Sequence, residues 1–411
     1  MSTVRYFDSI PHVVRYGMRD EKKGSSWTLF YRNAVCFRVS VARGDVEGTP
    51  FATQWLELNK EGNPIGEGVK SMLQRWNDLC DCIIRQCLPV LQELAPSTRQ
   101  WKTLEDYLRT PTYELKLVVD QDLNDAVAKV TSGPVEKPSY EHHLVNFSVF
   151  QSLPQDLPRY CAQDLTVLGQ GKNWRQPPDK VHTSNGEVLY FMSCNKHSKN
   201  EMTGKISNAS LDIINAYSRL HTGSEDLTGI YIPKLLGVVV SGADGEVEDW
   251  DAEGNPSPDM GQSVSKEAGE PLVAGVLLTY VTKAKSLKDG MKVPADPADT
   301  EGLATTKEKW KAQLKSAVQY LHDHGIAIGG RTDPDGPWFY INEYTVHIAP
   351  IKTDEGSAEI DVASLKDAHA WLMIQPHCTI LPAEDQPQEQ EKFEEQKAVD
   401  WEAVGKLFQD L

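Results

Sequence analysis

The chain has 411 residues, 40% of them hydrophobic and 25% charged, with a formal net charge of -17. That length buries a sizeable core in one large or two medium domains, and the composition is that of a globular protein rather than a fibrous or disordered one. The acidic balance argues against a general nucleic-acid surface, though not against a local basic pocket, and no apolar run is long enough to span a bilayer.

The opening stretch MSTVRYFDSIPHVVRYGMRD lacks the apolar region of a secretory signal, so a cytoplasmic protein with no membrane partner is expected. Residues 27–42, WTLFYRNAVCFRVSVA, alternate in patches around an Arg-Asn pair and predict a β-hairpin. Ile65, Val69, Met72, Trp76, Leu79 and Ile83 recur at steps of three and four, which predicts a helix over 65–94, ended or kinked at Pro89. Cys80, Cys82 and Cys87 fall on that helix without metal-ligand spacing, and the odd total of seven cysteines argues against a full disulfide framework. Residues 113–120, YELKLVVD, read as a strand. The polar stretch TSGPVEKPSYEHH then marks a boundary near residue 140, closing a mixed α+β N-terminal extension over 1–140.

The next part opens with DLTVLGQGKNW, in which a strand runs into Gly169 and Gly171. A glycine turn over a phosphate and a plain β-turn both fit that pattern. GEVLYFMSCNKH is a strand ending at Lys196, and Ser207 to His221 a helix with a serine cap. Ile230–Ser241 and Leu272–Val281 are apolar β-rich runs, separated by an acidic, Gly/Pro/Ser-rich loop over 241–270. A capping box from Thr305 to Glu308 predicts the start of a long helix with Trp310, Leu314, Ala317, Val318 and Leu321 on its apolar stripe and Gly325 at its end. His322 and His324 suit a helix C-terminus as caps. Beyond it, DVASLKDAHAWLMIQ and VDWEAVGKLF read as helices joined by the acidic linker AEDQPQEQEKFEEQ.

From Asp164 onward the order of elements, and the segment LHDHGI at Leu321 to Ile326, resemble the protein-kinase-like superfamily, in particular its compact fungal-type members. Those carry LHxHGI, then WGDxKPDN, a strand, and IDFG. Here IGGRTDPDG, one residue longer, stands in the place of WGDxKPDN, and HIAPI in the place of IDFG. The resemblance implies an α+β, two-lobed kinase-like fold, with an N-lobe over 160–282 and a mostly helical C-lobe over 283–411.

Phosphoryl transfer on this fold requires an Asp base, an Asn and an Asp for magnesium, and a phosphate Lys. The resemblance puts Gly330, Gly336 and Ala349 at the first three places. It puts the phosphate lysine at Lys196, whose helix partner falls near Asp212, and Gly169 and Gly171 are the candidate glycine turn over the phosphates. A one-residue slide makes Asp333 or Asp335 the candidate base, although Asp335 matches better the usually structural Asp of KPDN. A pseudokinase is therefore expected: a scaffold, or a cleft put to another use, with no cofactor, no metal and an unknown protein or small-molecule partner. Arg331 has the fork to clamp a phosphate or carboxylate, or else pairs with Asp333 or Asp335. His347 is a candidate general base, or a strand histidine with a structural role.

The chain's size and its lack of a standard motif are also similar to what the fungal arginine-containing cyclodipeptide synthases would allow. That resemblance implies aminoacyl-tRNA as substrate, with KAKSLKDGMK at Lys283 to Lys292 as the densest basic segment. His347, Asp333 and the backbone amides of Gly329 and Gly330 would then serve the aminoacyl transfer.

Overall fold

The computed structural model describes residues 11–20, 24–59, 72–135, 144–146, 153–154, 157–168, 178–194, 198–199, 206–207, 209–221, 228–241, 272–281, 284–290, 300–333, 336–349, 367–374, 378–381 and 387–409. The fold is mixed α+β, and the chain divides into two compact units, one built on 1–144, 161–184 and 241–269, the other on 145–160, 185–240 and 270–411.

The first unit is built on strands β1 (His12–Asp20), β2 (Ser25–Arg32), β3 (Val35–Ala42), β4 (Thr112–Asp120) and β5 (Asp125–Val135), hydrogen-bonded in that order. β3 and β4 run parallel while their neighbours are antiparallel. Parallel neighbours need a long crossover. It is supplied by helices α1 (Arg43–Val46), α2 (Pro50–Asn59), α3 (Met72–Arg85), α4 (Leu88–Leu94) and α5 (Leu104–Leu108). Phe37, Val39 and Val41 of β3 alternate onto one face and bury against Phe51 and Trp55 of α2 and Ile83 of α3.

The predicted hairpin is present, with Asn33 and Ala34 as its turn at φ of 47° and 57°, one residue later than the Arg-Asn pair suggested. The predicted single helix breaks after Arg85, before Pro89. Pro89 sits in the first turn of α4, where its missing N–H costs nothing. Cys87 consequently stands at the N-cap position of α4, without a side-chain cap bond, instead of sharing a helix with Cys80 and Cys82. Ile65 and Val69 lie outside the described residues. Thr131–Val135, read as the start of a boundary stretch, instead completes β5. A short hairpin of β8 (Thr166–Val167) and β9 (Lys180–His182) also belongs to this unit.

In the second unit, β6 (Val145–Asn146), β7 (Arg159–Cys161), β10 (Val188–Ser193), β13 (Leu235–Ser241) and β14 (Leu272–Thr279) belong to one sheet, in which β7, β13, β14 and β10 are neighbours in that order. A small ladder joins β11 (Ser198–Lys199) to β12 (Ile206–Ser207), and α6 (Ala209–His221) follows. Ser207, expected to cap α6, pairs with Ser198 in that ladder instead. The loop expected over 241–270 lies outside the described residues except for Ser241, the last residue of β13.

The rest of this unit comprises β15 (Lys285–Ser286), α7 (Leu287–Gly290), α8 (Thr300–Asp323), β16 (Ile326–Ala327), β17 (Gly330–Asp333), β18 (Gly336–Phe339), β19 (Val346–Ala349), β20 (His369–Leu372), β21 (Thr379–Ile380) and α9 (Pro387–Leu407). Trp310, Leu314, Ala317, Val318 and Leu321 form the buried stripe of α8, meeting Val346, Ile348 and Leu372 of the sheet and Val404 of α9. The helix begins at Thr300, so Thr305 lies inside it and the expected capping box is absent. Two further expectations are corrected. Residues 369–372 form β20, because Ala368, Ala370 and Leu372 are buried while His369 and Trp371 are half-buried, the period-two alternation of a strand. The supposed acidic linker is helical from Pro387. Its charges occupy the solvent side of α9, with Phe393 alone turned inward over the first two turns. No helix of the described residues is long and apolar enough to cross a membrane.

Candidate functional site

The segment that follows α8 is held from behind. Gly325 ends the helix in the left-handed region at φ 69° and accepts from the Leu381 amide (2.8 Å). Ile326 and Ala327 then pair with Ile380 and Thr379. The next amides are captured by α9. Asp400 Oδ2 accepts from Ile328 N at 2.9 Å, Asp400 Oδ1 from Gly329 N at 2.6 Å, and Gln396 Oε1 from Gly330 N at 3.1 Å. Gly329 has φ 74°, and a Cβ there would lie 1.8 Å from Gln396 Oε1, so only glycine fits the turn.

His322 completes this knot. Its Nε2 lies 2.9 Å from Asp400 Oδ2, with both side chains 1% exposed. Because a carboxylate oxygen accepts, Nε2 is the donor in this pair. Trp401 meets the ring edge-on at 5.4 Å. His322 thus ties α8 to α9 rather than capping α8. His324 does take the expected capping role, with Nδ1 2.8 Å from the Tyr320 carbonyl.

The positions singled out by the sequence distribute as follows. Gly330 and Gly336 open the two strands of the β17–β18 hairpin, a paired ladder in which Arg331 faces Trp338 and Asp333 faces Gly336. Ala349 is wholly buried in β19, opposite His369. His347, two residues earlier, lies between Ser286 of β15 and Trp371 of β20. Arg331 and Asp333 therefore share one strand of a two-stranded sheet, while His347 belongs to a separate three-stranded sheet, β15-β19-β20. Asp335, Lys196, Gly169 and Gly171 lie outside the described residues.

Around His347 the structure assembles residues that sequence reasoning missed. Side chains directly opposite across a ladder share a face, so Ser286, His347 and Trp371 form a row, with His369 two residues along β20 on the same face. Tyr231 stacks on His369 (4.3 Å between centroids) and meets Trp371 edge-on at 5.5 Å. Gln313 of α8 locks this end. Its Oε1 accepts from Ala370 N at 3.0 Å, which leaves its Nε2 to donate to His369 Nδ1 at 2.7 Å. His369 consequently carries its proton on Nε2.

Burial pushes the pKa of His347 down. It does the same to His369, where the Lys309 charge adds to the effect. Both rings are thus neutral at pH 7: His347 is a half-buried proton acceptor or hydrogen-bonding group, and His369 a fixed N–H donor. The signal for this row was present in the sequence as the alternation AHAWLM, masked by its brevity and by the expectation of a helix. No family model matches the chain, and no curated protein matches it.

Proposed function

We propose that this chain is a two-lobed, protein-kinase-like protein without phosphotransfer chemistry, a cytoplasmic pseudokinase that acts as a binding scaffold. The observation that carries the reading is the state of the assigned metal position. Ala349 is a wholly buried alanine at the end of β19. Magnesium requires oxygen ligands in near-octahedral geometry, and neither Ala349 nor the glycines at 330 and 336 has a side-chain oxygen. These residues do not fit the metal that kinase chemistry needs. The anchoring of residues 328–330 by Asp400 and Gln396 supports a framework kept rigid without its reactive groups. None of the seven cysteines is joined in a disulfide, in keeping with a reducing compartment.

The test combines ATP turnover with a search for partners. Purified protein with ATP and Mg²⁺ is expected to give neither autophosphorylation nor transfer to generic substrates, while affinity capture returns a specific partner. Metal-dependent phosphoryl transfer that disappears in an Asp333→Asn variant would overturn the reading.

His347 favours a second reading, a repurposed cleft with tRNA-dependent cyclodipeptide synthase activity. A neutral, half-buried imidazole suits deprotonation of an attacking amine. On this reading, expressing cells contain a small arginine-containing product that vanishes in His347→Ala, and untargeted mass spectrometry of cells with and without the gene separates the two.

A further inference from the structure

The five-stranded sheet of the N-terminal unit buries two arginines, and their guanidinium groups are provided for very differently. Arg32 donates from Nη1 to the Leu91 carbonyl at 2.6 Å and the Ala95 carbonyl at 3.0 Å, closing the end of α4. Arg38, on β3, is only 9% exposed. Its Nη2 is buried with no hydrogen-bond partner, and the Glu114 carboxylate stands 3.7 Å from Nη1, too far for a hydrogen bond. A charged donor withdrawn from water without an acceptor costs stability, so such groups in folded proteins call for an explanation.

The surroundings narrow that explanation. The guanidinium lies over the Trp27 ring, 5.6 Å from its centroid, which holds the plane of the fork in place. The register puts Glu114 opposite Arg38 and Lys116 opposite Ser40, so Arg38, Ser40, Glu114 and Lys116 share one face of the sheet. Lys116 contacts Asp45 at 2.9 Å, a half-exposed pair that a stronger anion can compete for. A planar fork with two adjacent N–H groups matches two oxygens of a single carboxylate or phosphate group.

We propose that Arg38, assisted by Lys116 and backed by Trp27, forms an oxyanion-binding site in the N-terminal unit, taking a ligand whose carboxylate or phosphate oxygens bridge Nη1 and Nη2. The site is independent of the region around His347 and of the pseudokinase reading. Glu114, 44% exposed on its side chain, is the internal competitor that the ligand displaces.

Thermal unfolding of the full chain tests this at constant ionic strength, titrating inorganic phosphate and, separately, acetate against chloride. The midpoint should rise saturably with at least one of them, by roughly 3 °C at ten times the Kd. A response to phosphate alone assigns a phosphate ligand, and a response to acetate a carboxylate. Arg38→Met removes the unpaired charge, so that variant should melt no lower than the parent in chloride and lose the anion response. Glu114→Gln, which leaves Arg38 in place, should strengthen it. Absence of a saturable response in both the parent and Glu114→Gln, or a response that survives in Arg38→Met, overturns the proposal and leaves ordered water as the partner of Nη2.

Discussion

Replacing Asp400 by alanine tests how the segment after α8 is held. One carboxylate, 1% exposed, accepts from His322 Nε2, Ile328 N and Gly329 N. Removing it strands buried donors, each costing about 1–3 kcal/mol, and breaking a buried pair of this kind typically costs ~3–5 kcal/mol. Because the loop relaxes and admits some water, the contributions do not add in full. We expect a loss of about 4 kcal/mol, a large share of the ~5–15 kcal/mol that stabilises an ordinary domain. Asp400→Asn keeps one acceptor and turns an N–H₂ toward the donors, so it should lose about 2 kcal/mol. Denaturant titration measures both, and amide exchange at Ile328 and Gly329 should accelerate with them. His322→Ala removes one donor but leaves the carboxylate two amide partners, so it should cost less than Asp400→Ala. If Asp400→Ala unfolds within about 1 kcal/mol of the parent, or its Ile328 and Gly329 amides stay protected, α9 does not anchor this segment.

Gly329→Ala should destabilise by about 2 kcal/mol or more, since the backbone is at φ 74° and the new methyl meets Gln396 Oε1. Pairing it with Gln396→Ala should restore only part of that loss in a denaturant titration, because the strained φ remains. Trp310→Ala, in the wholly buried stripe of α8, should cost ~3–5 kcal/mol by the same measurement. For pH, His347 and His369 have pKa values lowered on folding, so the unfolded chain binds their protons more readily. Their effect on stability is absent above pH ~6.5 and becomes a progressive loss as pH falls below it toward the lowered values. A His347→Gln, His369→Gln double variant should therefore show a shallower decline in denaturant midpoint between pH 7.5 and 5.5, and an unchanged slope would contradict the burial argument. Finally, burial pushes the Cys80, Cys82, Cys194 and Cys378 thiols up to about 12. Six of the seven cysteines are buried, and Cys161 is half-buried. Native protein should give about one rapidly reacting thiol with a disulfide reagent, lost in Cys161→Ser.

Periodic signals carried the readings that depend on one element alone. The stripe from Trp310 to Leu321 specifies a buried helix because each residue lands on one face at 3.6 per turn, and glycine at 325 is the residue that adopts the left-handed end. The hairpin over 25–42 and the strand at 112–120 were legible because alternation and turn chemistry are local properties. Short or charged segments were not. Four residues, His369 to Leu372, are too few to set a period, and they became a strand because β19 offered its edge and α8 supplied Gln313. The acidic start of α9 looked like a linker because its composition is polar, yet its own i,i+3 and i,i+4 pairs and the burial of Phe393 make it helix. The candidate site followed the same division. The sequence alone shows that Gly330, Gly336 and Ala349 have no side-chain oxygen to take a proton or hold a cation. The tertiary structure alone placed Trp371 opposite His347, with His369 on the same face and Tyr231 against Trp371 and His369, and turned Asp400 into the acceptor for amides some seventy residues earlier in the chain. Such neighbours are set by strand register and helix docking, which depend on the whole core rather than on any window of residues.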